Sequence, residues 1–221
     1  MLKLVFMKLL FVFAVVLISN IACSQKSDKK ATQANSIHIG GGCEGCEAIH
    51  ESPVPFDSLG NISWLADWND KGRKLAVNGV VYKADGTPAA NVIIYVYHTD
   101  QTGIYSTKGN EKGWGKRHGY IRGWMKTNAK GEYKFFTLRP AAYPGREAPE
   151  HIHITIKEPD KNEYGIDEYV FDDDPLLTAK ERKNCQDRGG SGILKVKDVG
   201  NMLKSERNIY LGKNIPDYPK K

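Results

Sequence analysis

Five consecutive residues concentrate the chemistry of this chain: His151-Ile152-His153-Ile154-Thr155. In an extended strand residues i and i+2 share a face, so both imidazoles project together while Ile152 and Ile154 turn to the opposite side. Two imidazoles so placed suit neighbouring positions on a metal ion, and equally a polar outer face carrying two unrelated histidines. Two tyrosines stand in settings that favour a site. Tyr105 ends Thr102-Gly103-Ile104-Tyr105, just past a strand, where loops carry function. Tyr143 lies in the constrained turn Arg139-Pro140-Ala141-Ala142-Tyr143-Pro144, shortly before His151. Phenolate is a hard anionic ligand suited to a trivalent cation, and tyrosine ligates iron in some haem proteins. Two phenolates and two imidazoles would leave Fe³⁺ with a small positive charge and room for further ligands. The plainer reading of each tyrosine is packing at a strand end.

The elements that must hold these residues read as short strands. Leu75–Tyr82 alternates with period two and meets the turn signal Asp85-Gly86-Thr87-Pro88. Val92–Tyr97 is a β-branched and aromatic run, and Ile121–Thr127 and Glu132–Leu138 flank the hairpin signal Asn128-Ala129-Lys130-Gly131. His151–Lys157, Glu168–Phe171, Gly192–Val199 and Arg207–Gly212 complete the set, with helical period only at Leu176–Asn184. This spacing predicts an all-β fold, an antiparallel β-sandwich preceded by an irregular arm over 43–72.

The stretch from about Gly79 to Pro175 resembles the intradiol ring-cleavage dioxygenases, the family of protocatechuate and catechol dioxygenases. The matching segments stand in family order. Gly79-Val80-Val81 with Asp85-Gly86-Thr87-Pro88 is similar to the opening strand and turn, and Gly103-Ile104-Tyr105 to the Gly-x-Tyr segment. Thr127-Asn128-Ala129-Lys130-Gly131-Glu132-Tyr133-Lys134-Phe135-Phe136-Thr137 resembles Thr-Asp-x-x-Gly-x-Tyr-x-Phe-x-Thr. Leu138 to Pro144 and Pro149-Glu150-His151-Ile152-His153 complete the series. The resemblance implies a prealbumin-like sandwich and one non-haem Fe³⁺ per chain, held by Tyr105, Tyr143, His151 and His153. It implies cleavage of a catecholic ring between its hydroxyl-bearing carbons by O₂, giving a cis,cis-muconate-type diacid. Tyr143 would be the displaced ligand that accepts a proton, while Tyr105 stays bound.

Two positions depart from the family pattern. The arginine expected three residues before the first histidine is Ala148, so Arg146 is the residue expected to reach the site in its place. The family glutamine corresponds to Glu168, a carboxylate that would disfavour an anionic substrate. The alternative function is a non-catalytic prealbumin-like binding or accessory module, since strand and turn motifs report fold and not activity. A third is a binder of iron or catecholates without turnover.

Outside this region, Lys3 and Lys8 precede an unbroken apolar run from Leu9 to Ile18. That run is too short to span a bilayer and reads as an export signal. Small residues around Cys23 resemble a bacterial lipoprotein cleavage site, with ordinary cleavage after Ser24 as the competing reading. The expected organisation is therefore a signal over 1–23 with Cys23 lipidated, a polar tether over 24–42, and a domain over 43–221 with its family core at about 74–175. The protein would be an envelope lipoprotein, or otherwise periplasmic or secreted, meeting membrane only through its lipid.

Cys43-Glu44-Gly45-Cys46 lacks both a second pair for zinc and the strand-to-helix setting of a redox motif, so a bond from Cys185 to Cys43 or Cys46 is expected. The basic, aromatic stretch Lys112–Arg122 is expected at the substrate mouth. A net charge of +6 over 221 residues is spread along the chain, which argues against a polyanion or nucleic-acid partner.

Overall fold

Alternation along β6 (His151–Lys157) sets the frame for everything that follows. Ile152, Ile154 and Ile156 enter the main hydrophobic core, while His151, His153 and Thr155 take the other face. Burying each isoleucine contributes roughly 1.5–3 kcal/mol, which fixes the register and hence the side on which the imidazoles emerge. The computed structural model describes residues 38–146 and 148–220. The export segment with Cys23, and the tether as far as residue 37, lie outside the described residues.

In chain order the remaining elements are β1 (Ile62–Trp64), β2 (Lys74–Tyr82), β3 (Ile93–Tyr97), a short helix α1 (Gly115–His118), β4 (Arg122–Lys126) and β5 (Glu132–Leu138). After β6 come β7 (Glu163–Gly165), β8 (Tyr169–Phe171), helix α2 (Ala179–Asn184), β9 (Ile193–Leu194), β10 (Lys197–Asp198), β11 (Met202–Glu206) and β12 (Ile209–Tyr210). One sheet runs β1-β5-β2-β11-β10 with β12 added beside β2, and the other runs β4-β3-β6-β8-β9 with β7 added beside β6. Inward residues of both sheets form one core, among them Leu75, Val77, Phe135, Ile94 and Val96.

The fold is all-β, but the sheets are mixed and not wholly antiparallel. The pairs β2–β5, β3–β4 and β3–β6 are antiparallel, whereas β1–β5, β2–β11, β2–β12 and β8–β9 are parallel. Each parallel partner arrives by a long connection, so no tight hairpin dictates its direction. The expected strand Gly192–Val199 is divided into β9 and β10.

The arm is more ordered than its irregular sequence suggests. A 3₁₀ turn over Cys46–Glu51 buries Ala48 and Ile49 against Ile93 and Tyr95, on the outer face of the second sheet. The Trp124 indole donates to Ile49 O at 2.8 Å and secures that contact. Strand β3 is thus covered on both faces, which accounts for its nearly continuous apolar run. The folded unit also begins earlier than 43, because Ile39 is buried in the main core and Gly40 N donates to Pro216 O at 2.8 Å.

A buried polar chain ties the arm to both sheets next to the site. Thr137 Oγ1 on β5 lies 3.0 Å from the Asp67 carboxyl of the arm and 2.6 Å from Nε2 of His98, the residue following β3. Burial pushes the Asp67 carboxyl up to about 6 and the His98 imidazole down to about 4, so both tend to their neutral forms.

A candidate metal centre

Two loops carry the tyrosines, and they are stitched together. Asp100 organises the first by accepting from Thr102 N (2.7 Å), Ile104 N (3.2 Å) and the Ser106 hydroxyl. Partial burial opposes ionisation there, yet these hydrogen bonds hold the Asp100 carboxyl below its ordinary range. Thr99 Oγ1 donates to Ala141 O at 2.7 Å and Ala141 N donates to Asp100 O at 3.1 Å, joining the first loop to the second. Gly103 has φ +77°, and a Cβ there would stand 2.0 Å from Ala142 O, so only glycine permits this approach. The second loop is closed at its base by Arg139, whose Nε donates to Glu150 Oε2 at 2.6 Å.

The result is a convergence of four side chains. Tyr105 Oη lies 2.6 Å from His153 Nε2 and in direct contact with Tyr143 Oη. Tyr143 Oη lies 3.0 Å from His151 Nε2 and 3.3 Å from His153 Nε2. Both imidazoles are held from behind. His151 Nδ1 is 2.7 Å from Pro149 O, and His153 Nδ1 is 2.5 Å from Glu168 Oε1. Since a carbonyl or carboxylate oxygen can only accept, each Nδ1 carries a proton, and in the tautomer that leaves the ring uncharged Nε2 is bare toward the cluster. Four close contacts then share the hydrogens of two phenols. Such a donor-poor set of two oxygens and two nitrogens fits a cation at its centre.

The electrostatics agree. Burial lowers the His151 pKa and keeps that ring neutral. Burial also raises both phenols, Tyr105 further through Tyr143, while the hydrogen bond from Tyr105 and the Arg146 guanidinium act against the rise at Tyr143. Phenolate here therefore calls for a compensating positive charge. Burial alone would raise Glu168, but the hydrogen bond from His153 holds it down at about 2. Ligand-type atoms of His151, His153 and Glu168 all lie within 4.8 Å of one another. Because Glu168 is engaged with Nδ1, it stands behind His153 as an orienting carboxylate.

The cavity above the cluster, about 370 Å³, is also lined by Tyr97, Trp114, Arg117, His118 and Glu44. The basic aromatic stretch does reach this mouth, through Trp114, Arg117 and His118. Tyr97 is a residue the sequence reading passed over, although it shares a face with His153, its partner across β3 and β6. Its ring lies between His118 (3.7 Å, 6°) and His153 (4.4 Å, 16°). Arg146 is exposed, its guanidinium 5.7 Å from the centre of the Tyr143 ring.

The expected cysteine pairing is corrected. Cys43 bonds to Cys46, and Cys185 at the end of α2 is a free thiol. The reason lies in the arm: Gly45 adopts φ +82° and the 3₁₀ turn starts at Cys46, which folds the two sulfurs back onto each other.

A family model described as "Dioxygenase" matches residues 60–188, more than half of the chain. The chain belongs to the intradiol ring-cleavage dioxygenase family. Among curated members, the protocatechuate 3,4-dioxygenase beta chain of Burkholderia cepacia is 28% identical over 112 residues, 48% of this chain and 48% of its own length. Catechol 1,2-dioxygenase 2 of Acinetobacter lwoffii is 29% identical over 111 residues, 43% of this chain and 39% of its own. The chain thus spans about half the length, or less, of these family members. The dioxygenase domain of a dioxygenase carbohydrate-binding protein fusion from Streptomyces sp. SirexAA-E has a similar fold, with TM-score 0.51 and 22% identity over 65% of this chain and 82% of that one. Catechol 1,2-dioxygenase from Acinetobacter radioresistens gives TM-score 0.54 and 15% identity over 73% and 60%. At these identities the structural likeness speaks for fold alone.

Proposed function

We propose that the protein opens a catecholic ring between its two hydroxyl-bearing carbons, using O₂ and one non-haem ferric ion per chain, to give a cis,cis-muconate-type diacid. The observation that carries this reading is the convergence of Tyr105, Tyr143, His151 and His153 with both Nδ1 atoms committed elsewhere. These four residues would hold the ion, which supplies Lewis acidity toward the catechol and a template on which ring and dioxygen meet. Both oxygen atoms end in the diacid, so the reaction balances without an external reductant.

The side chains have separate tasks. His151 and His153 are held in orientation through Pro149 O and Glu168. Tyr143 Oη, beside His151, receives the proton of an incoming catechol hydroxyl, while Tyr105 remains in place against His153. Arg146, over the Tyr143 ring, stabilises negative charge on that side. Trp114 and His118 wall the ring from water.

The two-sheet fold is read as a prealbumin-like sandwich, and residues 43–221 as the dioxygenase domain. The export signal over 1–23, the lipidation motif at Cys23 and the polar tether to about 42 support a place at the cell envelope, where small catechols arrive by diffusion. The test is oxygen uptake by the iron-loaded protein with catechol, 3,4-dihydroxybenzoate and 1,2,4-trihydroxybenzene. The reading requires equal consumption of O₂ and catechol, with both atoms of ¹⁸O₂ in the product. Iron bound without oxygen uptake on any of the three would contradict it.

A further inference from the structure

The cavity lining has two parts of different construction. One is the Tyr/His cluster. The other is a rim formed by α1 and by the loop that the Cys43–Cys46 bond closes. At the rim Arg117 Nη2 donates to Glu44 Oε1 at 2.6 Å, with the guanidinium 5.2 Å from the Trp114 ring. Among the described residues lining the cavity Arg117 is the one lysine or arginine, and the carboxylates of Glu44 and Glu168 face the same space. Arg146, the other nearby cation, points to solvent over Tyr143.

Glu44 is not free to wander. Its neighbour Cys46 is 3% exposed, with Thr155 Oγ1 of β6 3.6 Å from its sulfur. Gly45 packs so closely on α1 that a Cβ there would stand 2.8 Å from His118 Nε2. From the other side, Trp114 N donates to Glu51 Oε1 at 2.7 Å, which anchors the start of α1 to the arm. The carboxylate and the guanidinium are therefore held opposite each other by two separately secured segments.

We propose that Glu44 and Arg117 form a charge-paired lip that sorts catechols by the charge of their ring substituent, favouring those whose substituent carries no negative charge. This rests on the reading of the cluster as a catechol-cleaving site. An uncharged substituent lies against Trp114 and His118 and leaves the pair intact. An anionic substituent meets an arginine already neutralised and two carboxylates, and gains an ion pair only by displacing Glu44. Removing the charge of Glu44 frees Arg117 and reverses the bias.

The test compares catechol with 3,4-dihydroxybenzoate, which differ by one carboxylate, on the iron-loaded full chain and its Glu44→Gln and Arg117→Gln variants. Two quantities are read: kcat/KM in air, and dissociation constants by calorimetry without oxygen. Wild type favours catechol. Glu44→Gln raises the dihydroxybenzoate-to-catechol ratio roughly twofold to fivefold in both measurements, the range of an exposed ion pair, and adding Arg117→Gln abolishes the gain. A wild-type preference for dihydroxybenzoate, or an unchanged ratio in Glu44→Gln while catechol is still bound and cleaved, overturns the proposal. Failure of wild type to bind or cleave either ring overturns instead the reading on which it rests.

Discussion

The cluster and the lip line one cavity and are built on different principles. Tyr105, Tyr143, His151 and His153 are held by backbone register, by two stitched loops and by a hydrogen-bond partner behind each imidazole. Glu44 and Arg117 are solvent-facing side chains, 75% and 62% exposed, fixed only where their backbones are fixed. On the proposed reading, the ligands are held by β6 and two stitched loops, and selectivity is left to a rim that can vary without disturbing them.

The largest effect that separates the two regions is expected at the cluster. His153→Ala removes an Nε2 from the centre and a partner from both Tyr105 and Glu168, and iron binding measured by metal assay should be lost. Glu168→Ala leaves the imidazole without its orienting carboxylate, and competition with a chelator should show roughly 10–100-fold weaker iron binding. Glu168→Gln should recover most of that loss, because the amide oxygen still accepts from Nδ1.

A smaller, pH-dependent effect belongs to the rim. Burial, with the charges of Arg122 and Arg117, lowers the His118 pKa from 6.5 to about 4. The unfolded chain therefore takes up the proton first, so stability that is complete above about pH 6.5 is lost as pH falls toward 4. By pH 5 this contributes about 2 kcal/mol of destabilisation, and denaturant titrations of wild type and His118→Gln should differ in pH dependence by that amount. The smallest effect is Arg146→Ala, with roughly a twofold to fivefold fall in kcat/KM for catechol, the scale of an exposed cation–π contact. Its dihydroxybenzoate-to-catechol ratio should stay at the wild-type value, which would place substituent selection on Arg117 alone.

What could be read in the sequence follows the same division. Strands β5 and β6 stand over the residues that alternation marked, Glu132–Leu138 and His151–Lys157, because each buries a full apolar stripe. The four cluster residues fall on or beside such strands. By contrast β1 and β7 have three residues each, too few for a period to declare itself, and β11 is a five-residue strand carrying Lys204 and Glu206. The lip joins Glu44 to Arg117 across 73 residues, and no local pattern reports that pairing. The Cys43–Cys46 bond was missed because it depends on a glycine at positive φ, which sequence spacing does not reveal.

The central claim is that the four converging side chains hold ferric iron through two phenolates. Its most direct measurement is the visible absorption spectrum of the purified protein in air, with an iron assay on the same sample. The account predicts stoichiometric iron and a broad tyrosinate-to-Fe³⁺ charge-transfer band that shifts on adding catechol and changes in Tyr143→Phe. A protein that stays colourless and iron-free after reconstitution with iron would contradict it.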